Sequence, residues 1–288
     1  MNTVILTDSS SDLPLQYIEN NNIPFISLIC RYKGNDCKDD FGKSMDYHEF
    51  YDGIRSGEMP TTSQVNVQTY VDGFRKFVQN GNAIIYIGFS SGLSGSLGSS
   101  YIAKKALQEE FENADITIID SRSASLGQGL LVYYANEMLK KGSSKAEIVD
   151  WLENNKLKVN HLFTVDSLDH LKRGGRISPA AAMFGTILSI KPILHIDTEG
   201  KLVPLTKVQG RKKSLRTLVE MMSEKIVNPS EQVLAISHGD SAEDVEYLLG
   251  ILREKYTFKD IIVNNIGPVI GSHSGPGTIA LFFLADKR

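Results

Sequence analysis

The stretch Ala83-Ile84-Ile85-Tyr86-Ile87-Gly88-Phe89-Ser90-Ser91-Gly92-Leu93-Ser94-Gly95-Ser96 decides the fold class. Five consecutive apolar residues with no polar alternation are the pattern of a strand whose two faces are both covered. The glycines and serines that follow break the strand, and a helical pattern then runs to about Phe111. The same order of strand, serine-rich loop and helix occurs twice more. Thr3 to Thr7 leads into Asp8-Ser9-Ser10-Ser11-Asp12, with Pro14 at a helix start, and Ile116 to Ile119 leads into Asp120-Ser121-Arg122-Ser123. Repeated strand–loop–helix units predict a parallel α/β sheet, and ligands of such sheets sit at the carboxyl ends of the strands, where these loops converge.

Between the first and second of these units the pattern predicts a strand over 24–29, helices over 46–56 and 67–78, and a loop at Met59-Pro60-Thr61-Thr62-Ser63-Gln64. Beyond about Lys158 the pattern changes. Strands are predicted at 159–165, 191–196, 201–209, 232–237, 260–265 and 278–285, with helices at 212–226 and 242–255. Asp197-Thr198-Glu199-Gly200 is a hairpin turn. The reading is an N-terminal parallel α/β domain over 1–157 and a C-terminal mixed or antiparallel α/β domain over 158–288.

The 288 residues suffice for two such domains, and 41% apolar with 23% charged residues is the balance of a globular protein. A net charge of -3 and no basic run longer than Gly210-Arg211-Lys212-Lys213 argue against nucleic-acid binding. No apolar run approaches the ~18 residues of a membrane span. The chain opens on a strand without a charged leader, so a cytoplasmic location is expected. Cys30 and Cys37 have no partners at a zinc spacing and are expected to be free thiols, although a hairpin disulfide is conceivable.

Four segments could carry chemistry. Gly88-Phe89-Ser90-Ser91-Gly92 matches a nucleophile elbow in context, and Asp166 or Asp240 with His273 could complete a Ser–Asp–His order. No HGGG-type oxyanion loop accompanies it, and the same loop suits anion binding by backbone N–H groups at a helix N-terminus. Gly127-Gln128-Gly129 lacks the rest of a dinucleotide fingerprint and reads as glycines easing a helix against a sheet. Lys172-Arg173-Gly174-Gly175-Arg176 could hold a phosphate or an acidic surface, or be a solvated turn. Gly271-Ser272-His273-Ser274-Gly275-Pro276-Gly277-Thr278 predicts a tight backbone giving a ligand close access to one histidine. No Walker A or H-E-x-x-H pattern occurs, so no metal or nucleotide cofactor is expected.

Taken in order, Thr7-Asp8-Ser9-Ser10-Ser11-Asp12-Leu13, Pro60-Thr61-Thr62-Ser63-Gln64, Ser90 to Ser96, Asp120-Ser121-Arg122, Leu168 with Lys172 to Ile177, Lys191-Pro192-Ile193-Leu194 and Gly271 to Gly277 resemble the DegV family of bacterial lipid-binding proteins. The resemblance spans essentially the whole chain. It implies a two-domain α/β protein with a long-chain fatty acid in a tunnel between the domains. It further implies a role as the fatty acid-binding subunit of a bacterial fatty acid kinase, whose separate ATP-binding subunit makes an acyl phosphate for phospholipid synthesis. By motif, the hydroxyls of Thr62 and Ser94 would hold the carboxyl group, with Gly95 and His273 beside it. Arg173 and Arg211 would face the kinase. Burying about 15 methylenes at ~0.8 kcal/mol each gives a gross ~12 kcal/mol, from which ordering costs subtract. Neutral donors would satisfy the carboxyl without a permanent buried cation. The competing classes are a serine hydrolase acting through Ser90 and a lipid-responsive regulator without a kinase.

Overall fold

The structure is a computed structural model that describes residues 2–178 and 189–288. The elements of its first half are β1 Thr3–Asp8, α1 Leu15–Asn20, β2 Phe25–Ile26, β3 Ile29–Tyr32, β4 Asn35–Lys38, α2 Tyr47–Arg55, β5 Thr61–Ser63, α3 Val67–Val78, β6 Ala83–Gly88, α4 Ser96–Glu110, β7 Ile116–Asp120, α5 Leu126–Lys140 and α6 Lys145–Asn155. The second half has β8 Val159–Thr164, α7 Asp169–Arg173, β9 Ile190–Ile196, β10 Leu202–Gln209, α8 Arg211–Ser223, β11 Val233–His238, α9 Ala242–Lys255, β12 Asp260–Asn265, α10 Pro268–Ser274 and β13 Ile279–Leu284.

Strands β2-β1-β6-β7 form the expected parallel sheet. All six residues of β6 are buried, and they divide between two cores. Ile84 and Tyr86 pack with Phe74 of α3 and Ala103 and Leu107 of α4, whereas Ile85 and Ile87 pack with Leu130, Leu131 and Ala135 of α5. The second sheet, β10-β9-β8-β13-β11-β12, is mixed: β11 and β12 are parallel and the other neighbours antiparallel. Leu162, Ile193, Ile236, Leu281 and Phe283 turn from this sheet toward Leu215 and Leu218 of α8 and Leu248 and Leu252 of α9. Phe163, Leu194, Ala235, Ala280 and Phe282 face α5 from the other side.

Helix α5 therefore lies between the two sheets, as its contacts with β1, β6, β8, β11 and β13 require. A helix covered all round must be apolar all round, and Leu126, Leu130, Leu131, Val132 and Ala135 are fully buried. Its glycines bring it close, as the sequence reading of Gly127-Gln128-Gly129 expected. A Cβ on Gly127 would fall 2.1 Å from Nε2 of His161, and one on Gly129 2.6 Å from the Ser11 carbonyl.

The structure departs from the sequence reading in three places. The strand expected over 24–29 is split, Phe25–Ile26 pairing with β1 and Ile29 opening β3 of a third sheet, β4-β3-β5. The loop expected at 59–64 contributes β5 to that sheet, with Thr62 opposite Cys30. Residues 271–274 are the end of α10 rather than a tight turn, and only Gly275 and Gly277 take positive φ. Short polar strands such as Thr61–Ser63 carry no alternation to betray them.

Candidate functional site

The order β2-β1-β6-β7 reverses direction between β1 and β6, and at such a switch point the loops leaving the two strands part. Asp8, the last residue of β1, ties the two loops together. Its buried carboxyl accepts hydrogen bonds from the N–H groups of Ser10 (3.1 Å) and Phe89 (2.9 Å), the Tyr86 hydroxyl (2.7 Å) and the Gln128 amide (3.1 Å). Burial raises its pKa although these donors oppose the shift.

Phe89, whose N–H bonds Asp8, lines a cavity with about 840 Å3 of space free of protein atoms, counting the part that opens to solvent. The walls are mostly apolar: Leu28, Phe89 and Leu93 on one side, Phe163, Ile196, Ala280 and Phe282 on the other. The β9–β10 turn closes it against the Ser90 loop. A Cβ on Gly92 would lie 2.5 Å from the Glu199 carbonyl, and Arg122 donates to that carbonyl at 2.8 Å.

Polar groups gather where Thr62, Ser94, Arg176 and His273 meet the cavity. Thr62 Oγ1 and His273 Nε2 are 2.7 Å apart, joining β5 to α10 across 211 positions of sequence. Burial, reinforced by Arg176 and then Arg173, holds the pKa of His273 down to about 4, so the ring is neutral at neutral pH. Its Nδ1 is buried without a partner and lies against Gly174, where a Cβ would come within 2.1 Å. The Ser94 hydroxyl pairs with that of Ser96 (2.9 Å) and accepts from the Ser96 N–H (3.2 Å) at the start of α4. Gly95, the residue before α4, has Gln64 packed where a side chain would be, with Oε1 2.3 Å from an ideal Cβ.

Arg176 is the site residue that the sequence reading did not single out. It donates from Nε to the Leu93 carbonyl (3.2 Å) and from Nη1 to that of Gly174 (2.5 Å), and its guanidinium lines the cavity. The site thus contains a cation where only neutral donors were expected. The signal was the Lys172–Arg176 cluster, but nothing in its composition told which cation turns inward.

The two other arginines behave differently from each other. Arg173 is exposed and meets His170 Nδ1 at 2.9 Å. Arg211 is half-buried, bonded to Asp244 (2.8 Å) and to the Gly277 carbonyl (2.5 Å), so its guanidinium secures the glycine loop after α10.

The parts of the Ser–Asp–His order lie in separate pairings. Fully buried Ser90 donates to the Gly200 carbonyl at 2.8 Å, His273 meets Thr62, Asp166 pairs with Lys191, and Asp240 pairs with Arg55 and His48. His48, Asp52 and Asp240 come within ligand distance of a common point, but Arg55 already bonds both carboxylates. Cys30 and Cys37 face each other across β3 and β4 as free thiols, Cys30 Sγ lying 3.3 Å from the Ser272 hydroxyl. Among the described residues no helix is long and apolar enough to cross a membrane.

Two α/β layers enclosing a largely apolar cavity with a cluster of polar side chains in its wall have the form of a site for a small amphipathic molecule. The model of the DegV family, described as an uncharacterised protein family, matches residues 2–286, and the chain belongs to that family. It is 50% identical over 285 residues to a DegV domain-containing protein of Clostridium perfringens, covering 99% of this chain and 98% of that one. Among solved structures it resembles a DegV lipid binding protein of Thermotoga maritima at TM-score 0.87 and 30% identity, each chain fully covered. It also resembles DegV of Bacillus subtilis, a fatty acid binding protein, at TM-score 0.85 and 31% identity over 99% of both chains.

Proposed function

We propose that this chain holds one long-chain fatty acid, its tail in the cavity and its carboxyl group at Thr62, Ser94, Gly95, Arg176 and His273. The observation that carries the reading is the meeting of Thr62, Ser94, Arg176 and His273 in the wall of a mostly apolar cavity, with Gly95 beside Ser94 at the start of α4. The gross burial energy of the tail is available only if the carboxylate is also satisfied. Hydroxyls, the N-terminus of α4 and a guanidinium are suited to that, since charge-assisted bonds to a carboxylate are the stronger kind.

The bound acid is presented to a separate ATP-binding kinase subunit, which phosphorylates it for phospholipid synthesis. Exposed Arg173, three residues from Arg176, is the docking cation this reading favours, and Arg211 acts by holding the Gly277 loop. The facing free thiols of Cys30 and Cys37 fit a reducing, cytoplasmic compartment.

The test is mass spectrometry of an organic extract of the purified protein, followed by incubation with ATP and a cognate kinase subunit. A stoichiometric fatty acid and an acyl phosphate made only with both proteins present support the whole reading. An extract that stays empty after loading with mixed fatty acids overturns it. A bound acid that no kinase subunit phosphorylates leaves a lipid-responsive regulator in its place.

A further inference from the structure

One imidazole in the cavity wall has no place in the carboxyl-binding set. His161, the third residue of β8, lines the cavity among Phe163, Ile196, Ala280 and Phe282, with Ser237 of β11 in the same lining. It is 2% exposed, and neither ring nitrogen has a partner in good hydrogen-bond geometry, the Val159 backbone being the nearest candidate. Its ring stands edge-on to Phe282, with centroids 5.2 Å apart. Burial, with Arg288 adding to it, lowers its pKa far below the ordinary value, so the ring is neutral and carries one donor and one acceptor. Leaving both unpaired away from water is unfavourable, and such a group calls for a partner.

The surroundings cover one nitrogen and leave the other, Nδ1, to be met. Gly127 of α5 lies against Nε2, and any side chain there would overlap the ring. The position is well removed from the carboxyl site. Thr278 bonds the Ser274 carbonyl beside His273, and Phe282, the strand partner of His161, is four residues further along. At roughly 3.4 Å per residue that is about 14 Å along the strand.

We infer that His161 is a second polar subsite, which hydrogen-bonds a hydroxyl group carried mid-chain by a long-chain fatty acid. The inference rests on the fatty acid reading above and narrows its substrate class to hydroxylated acids. A hydroxyl both donates and accepts, so it can meet Nδ1 in either tautomer of the neutral imidazole, whereas an unsubstituted methylene leaves it unpaired.

The experiment compares octadecanoic acid with its monohydroxylated isomers, titrated into the delipidated full chain and followed by calorimetry. A mid-chain isomer is expected to bind about tenfold tighter than the parent acid, and isomers hydroxylated near either end no tighter. In His161→Phe the mid-chain isomer should lose its advantage over octadecanoic acid measured on the same variant, and His161→Gln should restore part of it. No advantage for any isomer on the unaltered protein, or one that survives His161→Phe, overturns the inference and leaves the carrier reading intact. Failure of octadecanoic acid and every isomer to bind overturns both. If His161→Phe does not fold, the isomer panel on the unaltered protein decides, with His161→Gln expected to weaken the favoured isomer more than the parent acid.

Discussion

Thr62 Oγ1 and His273 Nε2 stand 2.7 Å apart, one on an edge strand of the small sheet and the other on the last turn of α10. Neither element is stable as an isolated segment: β5 has three residues and α10 seven. The pair depends on the packing of α10 against β3, β5 and α2, helped by Tyr51 donating to the Ile266 carbonyl at 2.9 Å. A carboxyl group bound here would touch both halves of the chain at once, so ligand and fold should stabilise each other.

Thr62→Val keeps the shape of the side chain and removes the hydroxyl, leaving His273 Nε2 without its partner. An unpaired buried group costs about 1–3 kcal/mol, so affinity for a long-chain fatty acid should fall roughly 10- to 100-fold in calorimetric titration. Ser94→Ala should act in the same direction. Unchanged affinity in both variants would remove these hydroxyls from the carboxyl site.

Gly174→Ala tests the support of the histidine. The backbone there is helical, with φ -73, so alanine is tolerated conformationally. Its Cβ would nevertheless fall 2.1 Å from His273 Nδ1 and displace the ring. Overpacking of this kind costs about 1–3 kcal/mol. Chemical denaturation should show that loss together with weaker fatty acid binding; a variant with normal binding would mean the ring position does not matter.

Arg176→Gln separates charge from shape. The variant should bind a fatty acid about tenfold more weakly, yet bind the corresponding primary alcohol as well as the unaltered protein does, because only the carboxylate uses the guanidinium. An equal loss for acid and alcohol would make Arg176 a packing residue.

His273 also sets a pH dependence. Its pKa falls from 6.5 in the unfolded chain to about 4 in the fold, so the stability of the neutral ring is fully present above pH 6.5 and is lost as pH falls toward 4. The gap amounts to about 3 kcal/mol. Asp12 runs the other way. Burial raises it to about 7, so its contribution is present below pH 3.8 and declines as pH rises through 7. The two slopes oppose each other in the unaltered protein. The readout is therefore the difference between it and His273→Gln: the relative stability of the variant should rise by about 3 kcal/mol between pH 7 and 4 in denaturant titrations. A constant difference would show that His273 is not held neutral by burial.

The sequence by itself determined the layers. Unbroken apolar runs such as Ala83 to Ile87 announced a sheet covered on both faces, and the core on each side of β6 follows from that. The ordered Ser/Thr and Gly motifs announced the family and, through it, Thr62, Ser94 and His273. These features are legible because they depend on local periodicity and on backbone chemistry fixed within a few residues. Only the tertiary structure decided which polar groups face the cavity. Arg176 turns inward and Arg173 outward from one short cationic turn, and His161 of β8 lines the cavity with Gly127 of α5 packed against its Nε2. Three-residue β5 exists only because β3 offers it an edge. Such choices are settled by contacts between residues far apart in sequence, and no window of the chain contains both partners.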